Sequence, residues 1–120
     1  MNTDDAREMW QRSGFDYSVL TTPNVEMLAG LLSVELSDFA KHGGMEMVVA
    51  YKEIWRDKSM KVTSCRITVD GPYFKDRMGI AFDRDGFIGF AGWASSNNIR
   101  PFVQAFVTWV DWLKEVENDI

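Results

Sequence analysis

The amino-acid sequence predicts an α+β fold with two N-terminal helices, a four-stranded antiparallel meander and a C-terminal amphipathic helix packed on the sheet. Three observations predict it. Apolar residues recur at helical spacing before residue 43 and again after residue 98, and the middle of the chain alternates polar and apolar residues between turn sequences. We find no internal repeat and no Pro/Gly/Ser linker, so residues 1–120 are interpreted as one domain.

Two helices are predicted in the N-terminal third of the chain. Thr3 is interpreted as the N-cap of the first helix, which ends at Gly14. This helix is too short to be stable alone, so we expect it to dock through Trp10. The second helix is predicted to have Thr22 as its N-cap and to end at Gly43–Gly44.

Two antiparallel hairpins are predicted in the middle of the chain. Residues 45–56 fit both helical and strand spacing, and we prefer a strand because a β-branched run, 60–69, follows the polar turn Arg56–Ser59. A second hairpin is predicted around Asp83–Gly86, whose glycine should adopt a positive φ, since Asp-Gly between apolar runs is a strong hairpin signal. Gly89 is expected to mark a bulge or a close backbone approach.

The last helix, predicted from about Asn98 to Val116, has an apolar arc that one sheet face cannot cover. At 100° per residue, the apolar residues span about 220° of its circumference. Either several elements wrap this helix or part of it meets a second chain. Its core-facing stripe is expected to contain Phe102, Phe106, Trp109 and Leu113.

The aromatic residues favour a protein interface. Phe, Trp and Tyr make up 13% of the chain, and aromatic residues and Met are enriched at interfaces. Trp112 lies about 80° from the centre of the core-facing stripe, and Ala105 lies beside it. We therefore predict an interface that contains Trp112, Ala105 and, in the adjacent strand, Trp93.

The residues that could support catalysis or metal binding do not form a convincing set. Cys65 falls within a predicted strand and is expected to be a buried, slowly reacting thiol, and His42 is interpreted as a cap of the second helix. Glu35, Asp38 and His42 share one flank of that helix, but a metal site would need a second ligand motif. We therefore predict no enzyme, no metal and no cofactor.

Composition limits the classes of partner. The chain has 13 Lys and Arg against 18 Asp and Glu, a net charge of −5, so it lacks the basic footprint of a nucleic-acid-binding protein. The longest apolar stretch, 99–116, is interrupted by charged residues and is not expected to span a membrane. Acidic residues near the N-terminus, where a secretory signal would be apolar, and a single cysteine predict a cytoplasmic protein.

The sequence therefore predicts a non-enzymatic protein-interaction module that forms a homodimer or binds a protein partner through the aromatic C-terminal helix and the adjacent strand. Two alternatives stay open. One is a small acidic inhibitor of nucleic-acid-acting host machinery, of the type encoded by phages and other mobile elements, whose carboxylates would occupy a basic groove. The other is a small-ligand binder with a pocket between helix and sheet, lined by Tyr51, Arg66 and Tyr73.

Overall fold

The structure, a computed structural model, describes residues 3–43, 48–59, 62–70, 78–84, 86–91 and 100–118. The helices are α1 (Thr3–Ser13), α2 (Thr22–Gly43) and α3 (Arg100–Asn118). The strands are β1 (Val48–Arg56), β2 (Val62–Asp70), β3 (Met78–Asp83) and β4 (Gly86–Ala91). A short 3-10 turn at Tyr17–Val19 joins α1 to α2. The strands form one antiparallel sheet in the order β1-β2-β3-β4, so the predicted α+β meander is confirmed.

The strand registers confirm both predicted hairpins. β1 pairs with β2 so that Trp55 lies opposite Ser64, which confirms the strand prediction for residues 48–56. Residues 45–47 lie outside the described residues. β3 pairs with β4 around the predicted turn, and a register shift after Ala81 leaves Ile88 as an extra residue in β4. Gly89 follows this extra residue, so the predicted bulge is also confirmed.

The N-cap of α2 differs from the prediction by one residue. The hydroxyl of Thr21 accepts a hydrogen bond from the Asn24 N–H at 3.3 Å, and its carbonyl accepts one from Val25 at 2.9 Å. Thr21 is therefore the cap, and the prediction of Thr22 was wrong because the two consecutive threonines offer the same group. The Thr22 hydroxyl accepts a hydrogen bond from the Arg56 guanidinium instead, at 2.5 Å, which joins α2 to the end of β1.

Trp109 of α3 contacts α1, α2 and β3. It is fully buried, its ring stacks on Trp10 of α1 with centroids 5.9 Å apart, and it meets Phe82 of β3 edge-on at 5.4 Å. Its indole N–H donates a hydrogen bond to the Asn24 carbonyl of α2 at 2.9 Å. One side chain thus fixes α3 against two helices and the sheet, and satisfies its own polar atom.

Helix α1 docks on β4, as expected, through Trp10, which is almost fully buried. The Arg7 guanidinium donates a hydrogen bond to the Ile88 carbonyl, so a backbone group of the last strand in the sheet is paired. The approach is close: a Cβ on Gly89 would lie 2.9 Å from Cγ2 of Thr3. A side chain at position 89 would therefore press against the first residue of α1.

The wide apolar arc of α3 is wrapped by several elements. α3 packs along α2 and against α1, and its rings contact those of Phe82, Phe87 and Phe90 on the sheet. The buried residues of this helix are Pro101, Phe102, Ala105, Phe106, Trp109, Val110 and Leu113. The core-facing stripe is therefore as predicted. Packing against several elements of the same chain, which was one of the two alternatives, accounts for the buried part of the apolar arc.

Replacement of Gly86 by alanine is expected to cost about 2–4 kcal/mol of stability. Its φ is +107°, and a Cβ there would lie 2.8 Å from Cδ1 of the buried Trp10. Gly14 is the matched control, because its φ is +75° but nothing lies within 4 Å of its Cβ position. Gly14→Ala should cost about 1 kcal/mol. Urea denaturation measures the loss of stability in both variants. Equal midpoints for Gly86→Ala and Gly14→Ala would contradict the role of the Trp10 contact.

Two tryptophans of α3 should respond differently to truncation. Trp109→Ala should cost about 3–5 kcal/mol, because it removes a fully buried ring and leaves the Asn24 carbonyl without its partner. Trp112 is partly buried and packs at the margin of the core, so Trp112→Ala should cost about 1–2 kcal/mol. Thermal unfolding measures the loss of stability in both variants. A larger loss for Trp112→Ala than for Trp109→Ala would contradict the prediction.

Candidate functional site

Two of the three predicted interface residues, Ala105 and Trp112, lie among the described residues. Ala105 is 0% exposed, so it presents no area to a partner of the folded chain. The helical wheel placed it beside Trp112, but Ala105 belongs to the buried core cluster of the chain. Trp112 is partly buried and packs against the core. Trp93 lies outside the described residues.

A different surface carries exposed apolar side chains, namely the outer face of the sheet. This face is the side of the sheet opposite the core. Cys65 and Phe82 point towards the core, so the alternation of side chains along each strand directs their neighbours to the outer face, namely Ser64, Arg66 and Ala81. Trp55 in β1 and Ile88 in β4 are 44% and 47% exposed. Paired exposure of large apolar residues around one depression is characteristic of interaction sites.

Trp55 and Ile88 border an open groove on this face, with a volume of about 450 Å³. Trp55 belongs to the first strand of the sheet and Ile88 to the last, so the backbones that carry them are about 14 Å apart at the usual strand spacing. Ala81 lies opposite Arg66 on one side and Gly89 on the other. These small residues leave the space above β3 unfilled. Six residues contribute to the groove from the outer face, namely Trp55, Ser64, Arg66, Ala81, Asp83 and Ile88.

The charges inside the groove balance. Arg66 is exposed and contributes one positive charge, and the partly buried Asp83 contributes one negative charge. The Arg66 guanidinium presents a planar array of donors to whatever enters the groove. Because the lining has no net charge, apolar contact with Trp55 and Ile88 is the main source of affinity that the groove offers, and Arg66 can orient the bound group.

The sequence indicated Arg66 as a pocket residue but on the wrong side of the sheet. The predicted pocket lay between helix and sheet, whereas the groove lies on the face that points away from α3. Period-two alternation in β2 was the available signal, since Arg66 must face opposite to the buried Cys65 and Ile67. The side chain of Tyr51 and all of Tyr73 lie outside the described residues.

The described residues show no arrangement suited to nucleophilic or metal chemistry. Cys65 is 2% exposed, and burial raises the pKa of its thiol from 9.0 to about 12. The side chain of His42 lies outside the described residues. Within the described ranges, no three His, Cys, Asp or Glu side chains lie close enough to hold a metal ion. None of the described helices has the length and apolar character needed to cross a membrane.

The buried thiol of Cys65 should make stability depend on alkaline pH. Between its unfolded pKa of 9.0 and its folded pKa of about 12, the unfolded chain loses the thiol proton and the folded chain keeps it. Stability should therefore fall as pH rises through this window, by about 1.4 kcal/mol per pH unit at most. Urea midpoints are measured at pH 8, 9 and 10 for the wild type and for Cys65→Ala. The midpoint of the wild type should approach that of Cys65→Ala as pH rises, because only the wild type has the thiol. A constant difference would contradict it.

Comparison with known proteins gives no relative from which a function could be transferred. No protein-family model matches the chain, and neither a curated protein nor a solved structure matches it. The proposed function therefore rests on the exposed surfaces of the chain itself.

Proposed function

We propose that the chain is a non-enzymatic protein-interaction module that binds its partner through the groove on the outer face of the sheet. The exposure of Trp55 and Ile88 across this groove is the observation that supports it most strongly. Aromatic side chains have about 150–250 Å² of surface, so a half-exposed Trp offers much apolar area to a partner. Trp is also among the residues that most often dominate the energy of an interface.

The lining of the groove favours a peptide segment of the partner with one large apolar side chain. That side chain would pack between Trp55 and Ile88, above the small Ala81. Arg66 would bind a carbonyl or carboxylate oxygen beside it. The proposed contact thus combines one apolar anchor with one orienting hydrogen bond, which is the usual composition of an interface centre.

The rigid inner face of the sheet supports this proposal. The rings of α3 pack on Phe82 of β3 and on Phe87 and Phe90 of β4 from the inner face, so these two strands are supported from the side opposite the groove. A preformed surface loses little conformational entropy on binding. The aromatic C-terminal helix therefore acts in the proposed function as the support of the interface and not as its contact surface.

Selection of peptides from a random display library on the immobilised protein tests the proposal. We expect selected peptides to bind Trp55→Ala and Ile88→Ser at least tenfold more weakly than the wild type. Val116→Ser is the matched control, because Val116 in α3 is also 44% exposed but lies away from the groove. Its affinity should equal that of the wild type. The proposal is wrong if the library yields no binder, or if the groove variants bind as tightly as the wild type.

A further inference from the structure

Ile88, one of the two exposed apolar residues of the groove, is the bulged residue of β4. Gly89 lies opposite Ala81 and Phe87 lies opposite Phe82, so Ile88 has no counterpart in β3. A β-bulge bends the strand that carries it and changes the direction of the side chain at that point. The direction of Ile88 in the groove therefore depends on how the bulge is held.

The bulge also serves the packing on the inner face of the sheet. Phe87 and Phe90 are separated by an odd number of positions, so regular alternation would direct them to opposite faces. The extra residue shifts the register, Phe90 lies opposite Ile80, and both rings pack against Phe106 of α3. The bulge thus lets both rings reach the core, while Ile88 is left half-exposed at the groove.

Helix α1 contacts this bulge at two points. The Arg7 guanidinium donates a hydrogen bond to the carbonyl of Ile88, the residue that the register with β3 leaves unopposed. Arg7 also forms an ion pair with Asp4, one turn earlier in the helix, at 3.4 Å. At the next residue of β4, Cγ2 of Thr3 lies 2.9 Å from the Cβ position of Gly89. Both contacts therefore involve the peptide unit between Ile88 and Gly89.

We infer that Arg7 is a positioning residue of the groove, which fixes the bulge of β4 and thereby the direction in which Ile88 meets a bound partner. This inference rests on the proposed function, because the partner is the one that the groove would bind. Arg7 is not among the residues that line the groove, so it acts through the Ile88 carbonyl. Docking of α1 and binding in the groove are then coupled, and a bound partner strengthens the contact between Arg7 and β4.

Arg7→Met tests the inference, because methionine keeps an unbranched apolar stem and removes the donors of the guanidinium. The probe is a peptide selected from a random display library on the wild type. Its Kd, measured by titration calorimetry, should rise about fivefold or more for Arg7→Met. Arg7→Lys keeps a cationic donor and should bind within about twofold of the wild type.

Two control variants separate this effect from charge and from stability. Arg12→Met is the matched control for charge, because Arg12 is also exposed on α1 and forms an ion pair with Glu8 of the same helix at 3.6 Å. Gly14→Ala is the control for stability, since its positive φ makes alanine unfavourable there although nothing lies within 4 Å of the added Cβ. Both variants should bind the peptide like the wild type.

Methyl NMR of the free protein tests the positioning without any peptide. The δ1 methyl resonance of Ile88, assigned with Ile88→Val, should shift or broaden in Arg7→Met and stay in place in Arg12→Met. The δ1 methyl resonances of Ile67 and Ile80, which are buried in the core, should be unchanged in both variants. A general loss of packing would move all three resonances, so a change confined to Ile88 is specific to the bulge.

The two measurements separate this inference from the proposed function. If the library yields no peptide that Ile88→Ser weakens, the proposed function is wrong, and the Ile88 resonance alone decides whether Arg7 positions that residue. An unchanged Ile88 resonance in Arg7→Met overturns the inference, as does equal peptide affinity of Arg7→Met and the wild type. Equal losses of affinity in Arg7→Met and in Arg12→Met, Gly14→Ala or Arg7→Lys would overturn it as well.

Discussion

The contacts of Trp109 hold the layers of this fold in place. Its ring stacks on α1 and meets Phe82 of the sheet, and its N–H is bound by the Asn24 carbonyl of α2. Because each of these contacts fixes a different element, the position of one side chain couples the helices to the sheet. The positions of α1 on β4 and of Gly86 under Trp10 follow from the same cluster of rings.

This arrangement places the rings of β3 and β4 on the inner face of the sheet, and the outer-face residues of β2 and β3 that line the groove are small or polar. Ala81 and Ser64 lie on the outer face, and the rings of Phe82 and Phe87 lie inside. The groove between Trp55 and Ile88 lies over these residues, and the small Ala81 of β3 is part of its lining. A rigid support behind a shallow apolar groove is the physical basis of the proposed interaction.

The sequence predicted the elements well because caps, turns and periodicity are local. The bounds of α1, the end of α2 at Gly43 and the hairpin around Asp83–Gly86 depend on neighbouring residues alone. The burial of Ala105 was not predicted, because a helical wheel gives the direction of a side chain and not the neighbouring element that covers it. The groove depends on register between four strands, which local patterns do not determine.

The central claim is that Trp55 and Ile88, on the outer face of the sheet, are open to solvent and that the core-facing rings of α3 are not. Hydroxyl-radical footprinting of the native protein with mass spectrometry measures this residue by residue. The account predicts rapid oxidation of Trp55 and Ile88 and protection of Trp10 and Trp109. Protection of Trp55 equal to that of Trp109 would show that the groove is covered in the folded chain, and would contradict the account.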